Sequence, residues 1–112
     1  MAVPATQNLT ITRGDTETII LTITTDGATP VVITGRTYSS QMRTSPDSNV
    51  ISATAVCTVT DGSNGEVTAV FSSAQTKDLS PGYYYWDLQE NASGTITTVI
   101  SGQVTVLADV TR

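Results

Sequence analysis

A chain of 112 residues, 38% of them hydrophobic and 13% charged, has room for one domain around one modest core. Its net charge is −5, and its five basic residues (Arg13, Arg36, Arg43, Lys77 and Arg112) are scattered. Phosphate backbones are gripped by clustered Lys and Arg, so no nucleic-acid partner is expected. No basic amphipathic segment points to a membrane surface, and apolar runs such as Ile19–Leu21 and Val31–Ile33 are too short to span a bilayer.

The chain carries 22 Thr and 11 Ser. Thr is β-branched and suits a pleated, half-wet surface, so an all-β chain is expected. The opening MAVPATQN has neither the basic start nor the apolar stretch of a secretory signal, and none is expected. Residues 1–7 are read as an extended N-terminal arm ahead of a single domain at 8–112. The arm is uncharged and contains Val3 and Pro4. Either it is a frayed end, or it lies along a neighbouring subunit, which makes Val3 and Pro4 candidate partner contacts.

The elements follow in order. Residues 8–12 (NLTIT) alternate, with Leu9 and Ile11 on one face. RGDT turns the chain. Residues 16–25 (TETIILTITT) predict a strand with Ile19, Leu21 and Ile23 inward and Thr18, Thr22 and Thr24 outward. DGATP is a turn, and VVITG a short strand ending at Gly35. Residues 36–43 place Tyr38, Ser40 and Met42 on one face, and TSPDSN is a loop. Residues 50–60 alternate, with Ile51, Ala53, Ala55, Cys57 and Val59 on the apolar side.

DGSNG signals a hairpin turn, and Val67, Ala69 and Phe71 form one face of the next strand. In SSAQTKDL, Ser72 or Ser73 caps at most a single helical turn. An aromatic strand over 82–90 follows, then a turn at NASG. TITTVI and QVTVLA make the last one or two strands, with Gly102 marking a bulge or bend. Seven or eight short strands with a turn every eight to twelve residues predict an immunoglobulin-like antiparallel β-sandwich.

The catalytic inventory is thin. The chain has no His, one Cys and three Glu, and most of its seven Asp sit in turns. No metal-ligand spacing appears, so no catalytic residue, metal or cofactor is expected. Cys57 cannot form an internal disulfide and reads as an inert core thiol, since no histidine exists to activate it. Arg13-Gly14-Asp15 is an RGD tripeptide that reads as a tight turn. The sequons at Asn8 and Asn91 are matches that a Thr- and Ser-rich composition generates.

The segment LSPGYYYWDLQE packs four of the six aromatic residues side by side. Leu79, Pro81, Gly82 and Tyr84 resemble a tyrosine corner, in which the Tyr hydroxyl bonds back to the chain just upstream. That register puts Tyr84, Trp86 and Leu88 in the core and turns Tyr83 and Tyr85 outward. The outward pair either packs on cross-strand Thr residues or contacts a partner.

The strand after RGDT, the phrase ITGRTYSSQMR with its following loop and SNVI, the run DGSNGEVTAVFSSAQTKDLSPGYYYWDLQ and the close SGQVTVLADVTR together resemble small immunoglobulin-like structural proteins of tailed bacteriophages. The likeness spans nearly the whole chain. It implies a non-enzymatic virion protein, made in the host cytoplasm and carried on the outer surface of the particle. Fibre and baseplate modules of this kind continue into further domains, whereas this sequence stops after its last strand. The expected role is therefore capsid decoration, with the major capsid protein and copies of itself as partners. A tail, baseplate or head–tail adaptor component is the alternative. A carbohydrate-binding adhesion module, with the outward tyrosines stacked on sugar rings, is a third.

Overall fold

The computed structural model describes residues 5–24 and 30–110. Its strands are β1 (Ala5–Thr6), β2 (Leu9–Thr12), β3 (Glu17–Thr22), β4 (Thr37–Arg43), β5 (Ala53–Asp61), β6 (Glu66–Phe71), β7 (Gly82–Ala92) and β8 (Thr95–Leu107). A 3-10 turn at Gly62–Asn64 joins β5 to β6, and one short helix, α1 (Ser73–Thr76), precedes β7. The fold is the expected all-β immunoglobulin-like sandwich.

Pairing runs β8–β7–β4–β5–β6–β3, antiparallel throughout, while β1 and β2 both join β8 in parallel. The strand β5 serves both layers. Ala53 to Ala55 pair with β4, and from Val56 to Asp61 the same strand pairs with β6. The sandwich is thereby closed along one side.

The alternation read from the sequence fills the space between the layers. Ile19, Leu21, Val67, Ala69, Phe71, Tyr84, Trp86, Leu88, Val104 and Val106 are all buried. Each large side chain withdrawn from water in this way contributes about 1.5–3 kcal/mol. The tyrosine corner forms: the Tyr84 hydroxyl donates to the Ser80 carbonyl oxygen at 2.7 Å. Ser72 occupies the N-cap position of α1 without a side-chain bond, and Ser73 Oγ instead donates to the Gly14 carbonyl at 2.7 Å.

Several expectations are corrected. Residues 5–7 are not an arm. They continue the sandwich as β1, with Gln7 N–H donating to Ser101 O at 2.9 Å, because the free edge of β8 offers unpaired backbone groups there. Val3 and Pro4 lie outside the described residues. VVITG is not a strand. Its backbone is taken up by two different elements, Val31 N–H donating to Ile23 O and Ile33 N–H to Gly62 O, each at 2.9 Å, so no ladder forms. The turn at 26–29 lies outside the described residues, and an isolated bridge between Thr24 and Pro30 flanks it.

Strand β5 begins at Ala53, so Ile51 stays 46% exposed in the preceding loop. Cys57 is half-buried against the core edge rather than inside it, since β5 has by then crossed between layers. The two closing segments are one 13-residue strand. Its bulge falls where Leu88 faces Ile100 and Gln89 faces Thr98, not at Gly102. Gly102 answers to a different constraint: a Cβ there would overlap the carbonyl of Gln7 as residues 5–7 pass over it.

Candidate binding face

Strand β7 lies between β4 and β8, so its outward side chains form the middle row of a three-strand surface. Tyr85 is opposite Arg43 and Gln103, Asp87 opposite Gln41 and Ser101, and Gln89 opposite Ser39 and Thr98. Tyr83 begins the row opposite Thr105. Tyr83 is 70% exposed and Tyr85 40%. Pro46, from the loop after β4, borders this surface. A groove of about 510 Å³ is lined by Ser39, Gln41, Arg43, Tyr85, Asp87, Gln89 and Ser101 among others, and Tyr83 is outside it.

The floor of the groove is held in place. Arg43 Nη1 donates to the Ser48 carbonyl at 2.7 Å, and Nη2 donates to Gln41 Oε1 at 2.9 Å. The first bond ties the loop after β4 to the sheet and the second fixes the neighbouring amide. Burial pushes the Asp87 carboxyl above the usual carboxylate range, and the Arg43 guanidinium partly opposes that shift.

Of the expected core residues, Tyr84, Trp86 and Leu88 lie directly beneath this face and give it a rigid base. Burial raises the Cys57 thiol above its ordinary value, which works against thiolate chemistry. The RGD segment is a turn with Asp15 N–H donating to Thr12 O at 3.1 Å, and its arginine is engaged by Asp109 at 2.9 Å. Both sequon asparagines serve the backbone: Asn8 Oδ1 accepts from Gln103 N–H and Asn91 Oδ1 from Gly94 N–H.

Sequence reasoning missed a buried polar cluster. Glu90 continues the inward row of Tyr84, Trp86 and Leu88, and its carboxylate accepts from the Tyr38 hydroxyl at 2.6 Å and from Arg36 Nη1 at 3.2 Å. Burial and the Glu90 carboxylate push the Tyr38 phenol strongly upward. The signal was there in the alternation itself, since the period that puts Leu88 inside puts Glu90 inside too. Among the described residues, no group of His, Cys, Asp and Glu side chains is arranged to hold a metal ion.

No family model matches the chain, and no curated protein matches it either. Among solved structures, the crystal structure of InlP from Listeria monocytogenes is similar over 89% of this chain, with 21% sequence identity and a TM-score of 0.50. The likeness is one of fold. This chain spans 26% of the length of the InlP chain.

Proposed function

We propose that this domain is a non-catalytic adhesive module, and that its setting is the outside of a bacteriophage particle, where it decorates the capsid. The observation that carries the adhesive reading is the outward tyrosine row on β7, with Tyr83 at 70% and Tyr85 at 40% exposure over a rigid, fully packed base. Tyr brings a large amphipathic surface to a contact at little cost in side-chain freedom, and it is enriched at protein interfaces. The virion setting rests on the sequence resemblance. Repeated over a capsid lattice, many weak contacts add through multivalency and brace the shell. An acidic surface suits the exterior of a particle packed with DNA.

The test is rebinding of the purified protein to capsids stripped of it, read beside copy number per particle. Tyr83→Ala is expected to keep the fold and weaken rebinding, with hundreds of copies per virion. Only a few to a few tens of copies would move the domain to the tail, baseplate or head–tail adaptor. No association with particles at all would end the virion reading.

A further inference from the structure

The groove on the β4–β7–β8 face has a chemistry of its own, separate from the Tyr83 end of the row. Its volume of about 510 Å³ lies within the range of about 300–1,000 Å³ typical of small-ligand sites. Such sites are mostly apolar, and this one is not. Its outward-facing lining supplies a carboxylate, two amides, a guanidinium and two serine hydroxyls, with the Tyr85 ring at the side, while the buried Ser40 and Trp86 also border it. An apolar peptide side chain would find little to cover it.

Three features narrow the ligand. The carboxylate of Asp87 is half-buried and accepts no hydrogen bond among the described residues, so its acceptor capacity is unspent. A negative ligand would meet that carboxylate in a chain of net charge −5. A cation would meet the Arg43 guanidinium, which is pinned in the groove by its bonds to Ser48 and Gln41. What remains is a neutral molecule rich in hydroxyl donors. The Tyr85 ring, 40% exposed at the groove wall, offers a flat face for an aliphatic C–H surface.

We infer that this groove is a saccharide site, taking a neutral pyranose whose adjacent hydroxyls donate to Asp87 and bond to Gln89, and whose C–H face packs on Tyr85. Ser39 and Ser101 flank these groups on the neighbouring strands and complete the polar lining. Because Arg43, Gln41 and the Pro46 loop are already tied together, little ordering is left for binding to cost. The inference does not depend on the virion setting: a domain that fails to rebind capsids still has this groove.

The test is an amide-resolved NMR titration of the whole chain with glucose, galactose, mannose and N-acetylglucosamine and their common disaccharides, at millimolar concentrations. At least one neutral sugar is expected to shift the amides of Ser39, Asp87, Gln89 and Ser101 in a saturable way. Asp87→Asn keeps the shape and removes the charge, and is expected to weaken that sugar by about tenfold or more. Tyr85→Ala is expected to weaken it too, while Tyr83→Ala leaves it unchanged. If no neutral sugar moves these amides, or if Asp87→Asn binds as well as the parent, the assignment is overturned. Shifts caused equally by glucuronate would overturn the preference for neutral sugars.

Discussion

The indole N–H of Trp86 donates to the carbonyl oxygen of Gln7 at 2.7 Å, joining residues 79 positions apart in the chain. The bond sets the middle of β7 against the short segment that leads into β2. It also makes the first described residues part of the cooperative unit, where composition alone suggests a free end.

Trp86→Ala is therefore expected to remove both a buried aromatic and the anchor of Gln7. Truncating a buried Trp costs about 3–5 kcal/mol, which is much of the margin of about 5–15 kcal/mol that small domains have. Outer-face Tyr85→Ala is expected to shift stability by only about 0.5 kcal/mol. Deleting residues 2–7 is expected to lower the melting temperature on the order of 5 °C or more, because the indole N–H is left without its partner. Thermal melts of the three variants decide the point, and an unchanged melt for the deletion would show that β1 is only loosely laid on β8.

Gly102→Ala tests the same junction from the other side. The added methyl meets the Gln7 carbonyl and comes within 3.1 Å of Trp86 Nε1. The backbone at Gly102 has no positive φ, so the cost comes from contact and not from conformation. Overpacking of this kind typically costs about 1–3 kcal/mol. Hydrogen exchange gives the sharper readout: the Gln7 amide, which donates to Ser101 O, is expected to lose protection before the amides of β3 and β6 do.

Asp87 predicts a pH dependence. Its carboxyl is raised in the folded state, chiefly by burial, with Arg43 on β4 opposing the shift and uncharged Ser101 and Gln103 facing from β8. A carboxyl with a raised folded pKa disfavours the fold while ionised, and that penalty fades as pH falls through the folded value. Asp87→Asn is expected to melt higher than the parent at neutral pH, with the two converging below about pH 4. A variant that melts lower at neutral pH would show that the ionised carboxylate stabilises the face.

Much of this architecture was legible from local pattern. Period-two alternation placed Ile19, Leu21, Phe71, Trp86 and Leu88 inside, because a strand between two layers leaves each side chain only two directions. The tyrosine corner was legible because its bond spans four residues. What failed depended on distant partners. VVITG has the composition of a strand, but its donors are claimed by Ile23 and Gly62. The role of Gly102 is set by Gln7, nearly a whole chain length away. The outward direction of Tyr83 and Tyr85 follows from the same alternation, whereas the groove at Tyr85 does not. It depends on which residues of β4 and β8 come to lie beside Asp87, and register between strands is not written in any one of them.

The parallel pairing of β1 and β2 with β8 has a mechanical consequence. The chain enters the sandwich at one end of this pairing and leaves it at the other, with Ala5 beside Ile100 and Thr12 beside Leu107. Tension applied through the flanking segments pulls these strands along their length in opposite directions. The backbone bonds between them are then loaded together in shear, and cannot be peeled one at a time as at the end of a hairpin. A domain wired in this way resists stretching through its flanking segments better than one whose terminal strands separate bond by bond.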